Sequence, residues 1–155
     1  MADQQPAALL EPGAIRLQQH ATDRDDAIRQ CGEVLVAAGA VDPTYVDAML
    51  LREQSISTYV GEGVAIPHGT LAGKDAVHRD ALAVLRFPEG VDWGGFPVTV
   101  CVAIAARGDG HVAILSELAT ILLDPDQAAA LRAAEDPDTV LSLLRPAQSD
   151  PEQPQ

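Results

Sequence analysis

The chain has 155 residues, 47% of them apolar but only 3% aromatic, enough for one domain whose interior must be filled by Ala, Val, Leu and Ile. Ten Lys and Arg against 23 Asp and Glu leave a net charge of -13, which repels nucleic acid and anionic lipid at long range and favours a partner with a basic face. No segment approaches the roughly 18 apolar residues of a membrane span, and the opening MADQQPAALLEPG lacks the basic start of a secretory signal, so a cytoplasmic location is expected.

Residues 1–12 are polar with two prolines and read as a tail, followed by a short strand, AIRL, at 14–17. Thr22 and Asp25 then stand in capping-box spacing, and Ile28, Cys31, Val34, Leu35 and Ala38 form one helical stripe that stops at Gly39. Asp42-Pro43 announces a second helix, with the aspartate as cap and the proline in the first turn. GVAI at 63–66, ALAVLRF at 81–87 and VTVCVAIA at 98–105 are apolar runs bounded by Pro, Gly and Asp, as in strands covered on both faces. Residues 111–123 carry Ile114, Leu115, Leu118, Ile121 and Leu122 on another stripe, and Asp124-Pro125 and Asp136-Pro137 start two more helices. Residues 146–155, PAQSDPEQPQ, read as a second tail. The pattern predicts an α/β layered domain over 13–145 with a central sheet. Cys31 and Cys101 lack metal-type spacing and read as small buried hydrophobes.

The stretch GVAIPHGT isolates one histidine between Pro67 and Gly69. Proline holds the preceding residue extended, so His68 is presented at a rim, and Gly69 removes a side chain beside the ring. The amides of Gly69 and Thr70, with the Thr70 hydroxyl, are placed to donate to an anion held on the imidazole. Taken alone, such a histidine is more often solvated or structural. His111 follows Asp109-Gly110 at a predicted helix start, where amide donors favour an anion; alone, it is an exposed first-turn residue. Arg52 near the end of YVDAMLLRE alone only complements a helix dipole, and Glu62 alone is a turn carboxylate. His20 and His78 carry no functional reading, and Trp93 and Phe96 read as loop anchors.

Taken together, STYVGEGVAIPHGT (57–70), LRFPEGVDWGG (85–95), VAIAARGDGHVAILSELA (102–119) and YVDAMLLREQSIS (45–57) resemble the enzyme IIA domains of the phosphoenolpyruvate-dependent sugar phosphotransferase system, mannitol and fructose branch. The resemblance implies a mixed central sheet flanked by helices on both faces. It implies that His68 accepts a phosphoryl group from the phosphohistidine of HPr through Nε2 and passes it to a IIB domain. Its Nδ1–H would be held by an acceptor that the sequence does not identify. An imidazole of ordinary pKa, about 6.5, suits the role because it is largely neutral at cytoplasmic pH. The resemblance further implies that His111 donates to the phosphoryl oxygens and that Arg52 neutralises them. Glu62 matches the mannitol branch, where related nitrogen-regulatory IIA proteins more often have asparagine.

The expected partners are therefore HPr and a IIB domain of a sugar permease, met in trans by a free-standing IIA, with mannitol first and fructose second as the sugar. No metal or organic cofactor is needed, because the energy resides in the donor's P–N bond. A rival reading is a regulatory module whose His68 phosphorylation state is read by target proteins. A metallohydrolase built on His68, His78 and His111 lacks the closely spaced ligand pairs of zinc sites.

Overall fold

The computed structural model describes residues 10–70, 75–106, 116 and 118–144. Along the chain come β1 (Leu10–Arg16), α1 (Arg24–Ala37), α2 (Thr44–Ser55), β2 (Tyr59–Gly61), β3 (Val64–Ala65), β4 (Ala81–Asp92) and β5 (Pro97–Ala105). Three helices follow: α3, described over 118–122, then α4 (Pro125–Arg132) and α5 (Pro137–Leu143). The strands form one sheet in the order β1-β4-β5-β3-β2. β1–β4 and β3–β5 are parallel, and β4–β5 and β2–β3 antiparallel. The sheet is mixed, as expected.

Consecutive residues of a strand face opposite sides, so the unbroken burial of 81–87 and 100–105 means that both faces are covered. Leu85 pairs with Cys101, and Arg86 with Val100. Cys101 lies against Cys31 of α1, while the Arg86 guanidinium donates to the Arg132 carbonyl ending α4, 3.2 Å away. Helices α1 and α4 therefore sit on opposite faces. Both cysteines are buried and free, and burial, reinforced by the neighbouring Cys31 thiol, pushes the Cys101 thiol well above its ordinary value. Such thiols are packing groups.

Several element boundaries differ from the sequence reading. β1 starts at Leu10, inside the expected tail, because parallel pairing with Leu82 of β4 extends it. β4 runs on to Asp92 through an irregularity between Arg86 and Val91, since its partner β5 offers a ladder past the proline and glycine that signalled a stop. The cap of α1 is Asp23, not Thr22: its carboxylate accepts from Asp26 N–H at 2.8 Å. Asp42 does not cap α2 with its side chain, because that carboxylate is taken by His78 Nε2 at 2.8 Å. Asp124 and Asp136 do cap α4 and α5, and the bonds from Thr139 hold the Asp136 carboxyl below its ordinary value. Of the 111–123 stripe, Leu118, Ile121 and Leu122 are buried; Ile114 and Leu115 lie outside the described residues.

Candidate functional site

β3 is only two residues long, yet its partnership with β5 continues past it. Val64 pairs with Val100, Ala65 with Cys101 and, at the same offset, His68 with Ile104. The Ile104 amide donates to the Pro67 carbonyl at 2.9 Å, a ladder bond that proline still accepts although it has no N–H to give. On the other side, the Ile66 amide donates to the Thr58 carbonyl at 3.0 Å. His68 is thus carried on the last rung of the sheet, partly exposed.

The ring's Nδ1 lies 2.8 Å from the Ile66 carbonyl oxygen. A carbonyl only accepts, so Nδ1 carries the proton and the lone pair of the neutral ring belongs to Nε2. The acceptor that the sequence left unnamed is a backbone group two residues upstream, invisible in any side-chain pattern.

Gly69 serves this turn differently from the expectation. Its amide donates to the Tyr45 hydroxyl at 2.9 Å, so that proton is committed to the protein rather than offered to an anion. A Cβ at position 69 would stand 2.5 Å from the Tyr45 ring: glycine is required to admit the phenol. The Tyr45 hydroxyl in turn donates to the Ile104 carbonyl at 2.9 Å. Desolvation of this buried phenol raises its pKa, opposed by the Gly69 amide, so the hydroxyl keeps its proton. Thr70, partly exposed, ends the described part of the turn.

Arg52 sits in the last turn of α2, where its Nη1 donates to the Ile56 carbonyl at 2.5 Å. That contact is the helix-end role which the residue has when read alone. Seven positions separate it from Tyr45, two helical turns or about 10 Å along one face of α2. The next residue, Glu53, is 3% exposed and accepts from Thr58 N (2.9 Å), Thr58 Oγ1 (2.5 Å) and Trp93 Nε1 (2.9 Å). Trp93 is the anchor that the sequence suggested, and Phe96, half exposed, stacks on Tyr59 with ring centroids 4.8 Å apart. Glu62 lies in the β2–β3 turn, its carbonyl bonded to Arg132 Nη1 and its carboxylate 4.0 Å from the same group. His111 lies outside the described residues. Among the described residues no cluster of three His, Cys, Asp or Glu is arranged to hold a metal ion.

Tyr45, Glu53 and Arg132 escaped the sequence reading. Scarcity was the available signal for the first: with 2 Tyr, 2 Phe and 1 Trp in the chain, each aromatic asks for a reason, and Tyr45 starts the segment that ends in Arg52.

The family model for the phosphoenolpyruvate-dependent sugar phosphotransferase system, EIIA 2, matches residues 8–146. The multiphosphoryl transfer protein of Xanthomonas campestris pv. campestris is 42% identical over 138 residues, which are 88% of this chain and 16% of that protein. The mannitol-specific EIICBA component of Vibrio cholerae is 37% identical over 150 residues, 94% of this chain and 23% of that one. Among solved structures, mannitol IIA from Escherichia coli in complex with phosphorylated mannitol IIB superposes with a TM-score of 0.81 at 36% identity, covering 88% of this chain and 98% of that one. The chain belongs to the EIIA 2 family of the sugar phosphotransferase system. It spans only a minor part of the two curated relatives, 16% and 23% of their lengths.

Proposed function

We propose that this chain is a phosphoryl carrier: His68 takes the group from the phosphohistidine of HPr and hands it to a IIB domain of a sugar transporter, mannitol first and fructose second. The observation that carries the reading is the Nδ1–H bond to the Ile66 carbonyl. It makes Nε2 the attacking atom at a partly exposed rim. As the Nε2–P bond forms, the donor's P–N bond breaks and its electron pair returns to the donor imidazole. With Nδ1 still protonated, the phosphorylated ring is cationic, a charge that the Ile66 carbonyl dipole stabilises and that keeps the ring a good leaving group for the next transfer. The loose transition state leaves the protein to position groups in line and neutralise oxygens. That work falls to the Arg52 guanidinium, the Thr70 amide and hydroxyl, and His111, with Gly69 and Glu62 shaping the turns. Leu51 and Ile56, 59% and 68% exposed, flank Arg52 in the chain and supply an apolar docking surface. No described helix is long and apolar enough to cross a membrane, and the proposed donor places the chain in the cytoplasm.

The test is labelling by phosphorylated HPr. Wild-type protein becomes phosphorylated and His68→Ala does not; persistent labelling of the variant removes His68 from the role. Transfer onward to a purified IIB domain then separates transport from the regulatory reading, which gains if a labelled protein gives its group to no IIB.

A further inference from the structure

In a parallel ladder, a residue's amide donates to the partner strand on one side of its opposite number and its carbonyl accepts from the other side. Ile104 opposite His68 should therefore donate to Pro67 and accept from Gly69. The first bond is made at 2.9 Å. The second is replaced: Gly69 N–H donates to the Tyr45 hydroxyl and that hydroxyl donates to the Ile104 carbonyl, each at 2.9 Å. A phenol from the first turn of α2 is inserted into the sheet one residue after the histidine. The residue after the histidine is therefore tied to β5 through two bonds in series, while His68 itself keeps its register opposite Ile104.

The space for the phenol exists only because residue 69 lacks a side chain. Tyr45 is 4% exposed and both its hydrogen-bonding functions are used. Nothing in core packing alone asks for this hydroxyl, since a phenyl ring would fill the same volume.

We propose that Tyr45 is a positioning residue for phosphoryl transfer, its hydroxyl acting as a spacer that sets the stand-off of the His68 turn from β5 and retains the Gly69 amide as a structural donor. This rests on His68 being the phosphoryl acceptor. Removing the spacer leaves the part-buried Gly69 amide and the buried Ile104 carbonyl without their partner, and pairing them directly closes the turn onto β5, which moves the imidazole.

The test compares Tyr45→Phe with wild type using two donors. With phosphorylated HPr, kcat is expected to fall about ten- to a hundredfold while KM stays within about twofold, the signature of misplaced reacting atoms rather than lost docking. With phosphoramidate, whose nitrogen is already protonated, His68 Nε2 attacks phosphorus and the P–N bond breaks, its electron pair leaving on ammonia; the same loss of rate is expected without any protein partner. Wild type that phosphoramidate labels at His68 and HPr does not would sink the carrier reading and leave the spacer testable. Equal rates for folded Tyr45→Phe and wild type, or a loss confined to KM, would overturn the spacer. A measurement on wild type guards against a variant that does not fold. The Gly69 amide should keep its hydrogen-exchange protection and chemical shift on phosphorylation, and its capture by the phosphoryl group would refute the assignment.

Discussion

One imidazole, one carbonyl and one phenol define the candidate site. The Ile66 carbonyl selects the His68 tautomer, and backbone conformation delivers that carbonyl because Pro67 constrains Ile66 and fixes its own φ. Glu62 shows a second residue-level compromise. It has φ of 57°, between Gly61 at 96° and Gly63 at 76°, so the two central residues of the β2–β3 turn are both left-handed, as a two-residue hairpin of type I′ requires. Glycine accepts this freely, whereas glutamate is strained there and asparagine less so. Glu62→Asn is therefore expected to raise stability by about 0.5–1 kcal/mol, because the exposed pairing with Arg132 that it gives up is worth only a few tenths. Urea unfolding checks the gain. An unchanged phosphoryl-transfer rate in the same variant would make Glu62 a turn residue, and a reduced rate would make it part of the site.

At the scale of elements, α2 is tied at both ends to the segments leading into His68. Its first turn holds the His68 turn through Tyr45. Its last turn holds Thr58, at the entrance to β2, through the three-donor Glu53 carboxylate, which also fixes Trp93. The helix thus sets the spacing between the Tyr45 contact and Arg52. Glu53→Gln turns an acceptor-only group into one whose NH2 must face a donor, and a buried mismatch of that kind costs about 1–3 kcal/mol. The expected result is a lower urea midpoint, together with a red-shifted emission of the chain's 1 tryptophan as water gains access to Trp93. An unaltered midpoint would mean that the carboxylate contributes no more than an amide.

For the whole molecule, the charge of -13 acts on encounter rather than on chemistry. Association with a phosphorylated donor carrying a basic face is expected to slow as salt rises from about 50 to 500 mM, while the single-turnover transfer rate within the complex stays constant. Stopped-flow measurement at several salt concentrations separates the two, and salt-independent association would mean that docking is driven by the apolar surface around Leu51 and Ile56. The sequence by itself determined the layered α/β class, the interior strands 81–87 and 98–105, the caps of α4 and α5 and the prominence of His68. Each of these is written in local terms: apolar runs, Asp-Pro pairs, a Pro-His-Gly turn. Only tertiary structure decided that the Asp42 carboxylate serves His78 instead of capping its helix, that β1 begins at Leu10, and that the Gly69 amide belongs to Tyr45, 24 residues away. Those outcomes depend on which donors and acceptors the folded backbone brings within 3 Å of one another, and contacts between residues distant in sequence leave no periodicity or composition by which a linear reading can find them.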